Sequence, residues 1–209
     1  MNKKWIIITA CAAAGLFLTA LPVRADYETA PYTVVKKAGA TEIRDYPALK
    51  VVSVGMKTDT ERDDRFRRLF AYISGGNAAQ SKIAMTTPVF MDKADATSVM
   101  SFVVPATVAA AGAPVPTGEG VQLGTRPAGR FAVLRFNGLQ STANEKAALS
   151  ELEKWMAAEK LTATGQPVIA YYDSPWTPGP WRRNEVMLPL PLPAATPAAA
   201  KEADQDKTK

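Results

Sequence analysis

Apolar residues recur along this chain with two periods, and the switches between them mark out its elements. Valine-rich or alternating stretches at 32–37, 41–46 and 49–56 read as strands, the first two joined through Gly39. Phe66, Leu69, Phe70 and Ile73 then fall at i, i+3, i+4 and i+7, the stripe of an amphipathic helix. Thr60 and Asp63 resemble a capping box with Asp in place of Glu, which starts that helix at Thr60. Gly75-Gly76-Asn77 supplies the left-handed backbone that stops it. Strands follow at 89–91 and 99–104. Residues 105–119, rich in Ala, Pro and Gly, read as a long exposed loop.

The pattern then begins again. Strand-like stretches at 121–126 and 131–136 flank a Pro-Ala-Gly turn, and Thr142 with Glu145 forms a capping box for a second helix over 143–160. Leu149, Leu152, Trp155 and Met156 make its apolar side, and Gly165 marks a stop. Strands at 168–172 and 185–190 surround a Pro/Trp loop at 175–181. The order is strand–strand–helix–strand–strand, twice, a pseudo-twofold repeat of pattern without residue identity. Either half alone would expose an apolar sheet face. The expected class is therefore α+β, with the halves packed into a distorted antiparallel β-barrel or a curved sheet that carries two helices on its outer side.

The ends of the chain change the charge picture. Asn2-Lys3-Lys4 followed by an uncharged apolar run over 5–21 and then Val23-Arg24-Ala25 reads as a signal peptide, residues 1–25, cut after Ala25. Two other readings compete: a retained anchor, because the run reaches across a thinned bilayer, and lipidation at Cys11, although the longer apolar run follows Cys11 instead of preceding it. Export places the mature protein in the periplasm or outside the cell, without stable membrane insertion. The formal net charge of +5 falls to +2 once Lys3, Lys4 and Arg24 are gone, which removes the case for a nucleic-acid partner. Cys11 is the only cysteine, so the mature chain has no disulfide and no thiolate metal site. The folded domain spans 26–193. Residues 194–209 hold three charges of each sign and almost no large apolar residue, and read as a disordered tail.

Three segments carry a resemblance: EIRDYP at 42–47, KIAMTTPV at 82–89 and RRNEVMLPLP at 182–191. With the helix before the second, they resemble the SOUL haem-binding family across about 32–191, and the fold of that family is similar to the small-molecule-sensing domains of some transcription regulators. The resemblance implies an apolar cleft that holds haem or a related tetrapyrrole non-covalently, for carriage or buffering. It makes Phe66 and Leu69 a surface for the flat ring, with Arg62 on the same arc one turn earlier and Arg65 beside it as partners for the carboxylates. Arg67 and Arg68 point away from that arc. Lys82 is a second carboxylate partner, and Met85 a soft contact or weak iron ligand. Trp181, with Trp176, stacks at the rim, and Arg183 faces a propionate.

Each of these residues also has a purely structural reading. The helical stripe packs on the sheet, Met85 enters the core, and Arg183 pairs with Glu185. Alternation likewise puts Glu42 and Arg44 on one strand face as an ion pair.

The chain contains no histidine. A serine or cysteine nucleophile served by histidine is thereby excluded, and an iron ligand is restricted to Met, Tyr or Lys. Tyr32, Tyr46, Tyr72, Tyr171 and Tyr172 are available, and none is singled out. The family includes members thought to hold haem by apolar contact, and this chain would stand with them. Two rival functions remain: a hydrolase or sensor-like domain acting on a small apolar compound with Glu185 in the cavity, and a protein-interaction module. The oligomeric state is not set by the sequence.

Overall fold

The computed structural model describes residues 27–56, 61–93, 98–174 and 176–192. The leader at 1–25, the cap at Thr60 and the tail at 194–209 lie outside the described residues. Eleven strands and three helices are present among those described: β1 Glu28–Thr29, β2 Thr33–Ala38, β3 Thr41–Tyr46, β4 Leu49–Met56, α1 Arg62–Ile73, β5 Thr86–Thr87, β6 Val89–Asp92, β7 Ser98–Val103, α2 Ala106–Ala111, β8 Val121–Arg126, β9 Gly129–Phe136, α3 Thr142–Ala158, β10 Val168–Tyr171 and β11 Asn184–Leu190. The short helix α2 replaces part of the loop expected over 105–119. Its sequence, ATVAAA, is dominated by the best helix former, and Gly112 with φ of 89° ends it.

Nine strands form one antiparallel sheet in the order β2-β3-β9-β11-β10-β6-β7-β4-β8. Apart from β2, this order is symmetric about the β10–β6 junction, which makes the pseudo-twofold repeat visible. The first strand of each half pairs with the second strand of the other, β3 with β9 and β8 with β4. The two halves are therefore interlocked along one sheet. The remaining pair, β1 with β5, is parallel and lies apart from the main sheet.

One sheet face carries both long helices. Leu69, Tyr72 and Ile73 of α1 and Ala148, Leu152 and Met156 of α3 share a core with Val52, Met91, Met100, Phe102, Leu134, Ile169 and Val186. The opposite face is also buried, by Tyr46, Val51, Phe90, Val103, Phe131, Val133 and Met187, and no helix contributes to it among the described residues. A sheet face can be buried without a helix only if the sheet curls over it. Tyr46 and Phe90 stand four strands apart, about 19 Å in a flat sheet, yet their rings lie 6.3 Å apart. The sheet curls but does not close, because β2 and β8 remain its two edges. Of the two architectures the sequence allows, the protein takes the curved sheet. No helix among the described residues is long and apolar enough to cross a membrane.

Candidate functional site

The buried arc of α1 is Leu69, Tyr72 and Ile73. That arc turns Phe66 and Phe70 to the edge of the helix, where their rings stack 6.2 Å apart and Phe66 rests on Phe102 at 5.3 Å. Between this aromatic edge and the ends of β6 and β10 runs a cleft with two lobes. The first, about 460 Å³, is lined by Arg62, Asp63, Phe66, Arg67, Met91, Met100, Gln140, Tyr171 and Asp173. The second, about 360 Å³, is lined by Tyr27, Phe66, Phe70, Met85, Thr87, Tyr171, Tyr172 and Trp176. Phe66, Val89, Tyr171 and Asp173 belong to both. Each lobe is of a size usual for small-molecule sites. Three exposed aromatics, Tyr27, Phe70 and Trp176, gather on the second lobe; Phe70 is 50% and Trp176 92% exposed. Together they give this lobe an exposed aromatic rim.

Of the residues singled out in the sequence, the cleft brings together Arg62, Phe66, Met85 and Trp176. Leu69 is sealed in the core beneath α1. Arg65 turns along its own helix to Glu61 at 3.0 Å and Asp64 at 3.7 Å. Lys82 is exposed and lines neither lobe. Trp181 is exposed on a short 3-10 turn, Gly179–Trp181, and also lines neither lobe. Arg67, expected to point away, lines the first lobe. Tyr171, which no helical or strand period could select, lines both lobes.

The polar end of the cleft is organised by Glu145. Ser141, not Thr142, caps α3, accepting the Asn144 N–H at 3.2 Å. The cap expected one residue later would have bent Glu145 back onto the helix terminus. Glu145 instead reaches across to the other half of the fold. It takes Lys93 at 2.7 Å and Arg62 at 3.4 Å, and accepts the Tyr171 hydroxyl. The first turns of α1 and α3 thus meet near the pseudo-twofold axis through one buried carboxylate.

Burial raises the Glu145 pKa. The hydrogen bonds from Lys93 and Tyr171 and the charges of Lys93 and Arg62 outweigh that, holding it below the ordinary carboxylate range. A carboxylate depressed in this way stabilises the fold above its unfolded pKa of about 4.3, and that contribution is lost as pH falls through the lower folded value. In thermal melts from pH 7 down to pH 2.5, the native protein is expected to lose stability below about pH 4. Glu145→Gln should start lower and decline less steeply over the same range. Parallel declines would show that Glu145 is not a source of the acid sensitivity.

Glu185 occupies the opposite sheet face. It is fully buried and accepts five hydrogen bonds: from Arg44 Nη1 and Nη2 at 2.8 and 3.1 Å, from Arg183 Nε and Nη2 at 3.0 and 2.7 Å, and from the Tyr172 hydroxyl at 2.9 Å. Arg44 stacks over Tyr32 at 4.2 Å and bonds Glu42 at 2.6 Å, and Arg183 stacks over Tyr172 at 3.8 Å. Burial alone would lower the Arg44 pKa, but the bonds and charge of Glu185 drive it well above its ordinary value. The structural readings of Glu42, Arg44, Arg183 and Glu185 are thus one network. Glu185 lines neither lobe of the cleft, and a carboxylate with about four lone-pair sites has no capacity left for a substrate. Arg182 is likewise engaged, donating from Nε to the Thr177 carbonyl at 2.6 Å.

The protein is thus an α+β domain in which two long helices cover one face of a curled sheet of interlocked halves, with an apolar cleft beside the first of them. Residues 27–189 match the SOUL heme-binding protein family, and the chain belongs to that family. Among solved structures it is similar to the EcmrR C-terminal domain, with a TM-score of 0.57 at 12% identity over 77% of this chain and 98% of that one. A hydrolase from Listeria innocua gives a TM-score of 0.56 at 14% identity, over 75% and 94% of the two chains. An uncharacterized conserved protein from the same organism gives 0.54 at 15% identity, over 73% and 92%. At these identities the likeness is one of fold. No curated protein matches the sequence.

Proposed function

We propose that this protein, exported and freed of residues 1–25, binds haem or a related tetrapyrrole in the two-lobed cleft and carries or buffers it. The observation that supports this most is the polarity of the cleft. Stacked Phe66 and Phe70, with Met85, Tyr172 and Trp176, give one end a flat apolar surface, while Arg62 and Arg67 lie at the other. A planar apolar ring with carboxylates along one edge suits that division, the ring on the aromatics and an acid on a guanidinium. Arg62 Nε is buried and has no hydrogen-bond partner among the described residues, so the guanidinium at the cleft wall is incompletely satisfied in the free protein.

Haem brings its own iron chemistry, and the chain supplies enclosure and orientation. Of the phenols lining the cleft, Tyr171 is committed as a donor to Glu145 and Tyr172 to Glu185, while Tyr27 stands exposed at the outer lobe. Met85, Met91 and Met100 offer only thioethers. The residues present fit retention by ring contact and acid pairing, which suits carriage. Hydrolysis through Glu185 draws no support from a carboxylate that is saturated and outside the cleft.

Haemin added to the purified protein is expected to give a saturable shift of the Soret band. Arg62→Ala should weaken binding by about tenfold, the scale of one charge-assisted hydrogen bond. Lys82→Ala should leave it unchanged. A flat titration with excess haemin would overturn the assignment.

A further inference from the structure

The group of charges behind the cleft is unevenly matched. One carboxylate, Glu145, faces two cations, and it holds them differently. Lys93 Nζ sits at 2.7 Å, a close ion pair, whereas Arg62 Nη2 sits at 3.4 Å, at the limit of hydrogen bonding. The Arg62 guanidinium also lies 5.6 Å from the Tyr171 ring, and its Nε is unsatisfied among the described residues. If Arg62 departs, Glu145 still keeps one partner on each oxygen, Lys93 on Oε2 and the Tyr171 hydroxyl on Oε1. Arg62 alone among these groups combines a loose partner, a spare donor and a place on the cleft wall.

We propose that Arg62 exchanges partners when ligand binds. Glu145 holds it in the free protein, a ligand carboxylate takes it in the complex, and Lys93 keeps Glu145 neutralised throughout. Glu145 is then a positioning residue that sets the affinity for acidic ligands without touching them. The inference rests on the cleft being the ligand site. It adds that the resting protein supplies its own competitor for the ligand's acid. A bidentate carboxylate gives Arg62 better geometry than the single long contact to Glu145, which makes the exchange favourable.

The test uses absorbance titrations with haemin and with its neutral dimethyl ester. Glu145→Gln removes the competing charge, so haemin should bind about fivefold more tightly, from one like charge removed near a half-buried site. Lys93→Met leaves Glu145 with Arg62 as its only cation, so haemin should bind more weakly. The ester, having no acid to exchange, should be insensitive to both changes. Both variants are expected to melt at a lower temperature, and damage to the fold alone would shift haemin and ester together and in one direction. If Glu145→Gln does not fold, Lys93→Met decides by whether haemin weakens while the ester does not.

Equal or weaker haemin binding by Glu145→Gln, or equal shifts for haemin and ester, would overturn the exchange. The cleft assignment would survive that result provided Arg62→Ala still weakens haemin. Absence of saturable haemin binding to the native protein would overturn both.

Discussion

Glu185→Leu is expected to destabilise the protein by at least about 3–5 kcal/mol, the cost of removing one member of a buried ion pair, and to leave little folded material at 37 °C. The substitution keeps an apolar side chain of acceptable size at a fully buried position, so lost volume is not the cause. The cost comes from what remains. Arg44 has a side chain only 4% exposed, and it would lose the carboxylate that takes two of its donors. Arg183 would lose its ion-pair partner and Tyr172 its acceptor. Glu42 can neutralise one of the two guanidinium groups, through the 2.6 Å contact to Arg44. Urea denaturation followed by far-ultraviolet circular dichroism measures the loss. A change of less than about 1 kcal/mol would mean that the network is dispensable and Glu185 is free for another role. A hydrolase using Glu185 requires Glu185→Gln to fold normally and lose turnover, whereas the observed bonding makes stability the property that moves first.

The second large effect separates two adjacent residues of α1. Leu69→Ala is expected to cost about 2–5 kcal/mol, as truncation of a fully buried leucine does, with haemin affinity retained in whatever fraction stays folded. Phe70→Ala should cost less than about 1 kcal/mol, because the side chain is half exposed, and should weaken haemin binding several-fold by removing half of the stacked pair that faces the second lobe. Paired melts and titrations on the two variants decide it. If Leu69→Ala abolished binding at unchanged stability, the ligand would lie on the buried arc of α1 and not at its edge.

The contrast between Leu69 and Phe70 shows how far sequence periodicity reaches. The spacing of Phe66, Leu69, Phe70 and Ile73 identified the helix correctly, and α1 ends at Ile73 just before the Gly75-Gly76 stop. It also grouped four residues that the fold divides. Tyr72 replaces Phe70 on the buried arc, a rotation of the arc that depends on where the sheet lies against the helix. The alanine-rich stretch at 106–111 was legible only as loop, because composition alone does not separate a six-residue helix from the proline and glycine around it. At α3 the capping-box spacing pointed to Thr142 alone, whereas the neighbouring Ser141, also a hydroxyl residue, takes the cap. The choice of Ser141 over Thr142 freed Glu145 for contacts 52 and 83 residues away along the chain.

The sequence by itself determined the order of the nine main-sheet strands and the two long helices, the α+β class and the twofold pattern, since these follow from local periodicity, capping and turn chemistry, which act over a few residues. It also excluded histidine and, for a processed chain, thiolate chemistry, because those depend on residue types alone. Tertiary structure decided that each half lends its first strand to the other, that the curled sheet buries a second face without a helix, and that Arg44 and Arg183 saturate Glu185. It likewise decided that Arg62, Tyr171, Phe70 and Trp176 meet around one cleft while Leu69 and Lys82 stand apart from it. These outcomes depend on contacts between distant segments, whose relative positions are set by the packing of the whole sheet and are not encoded in any local period.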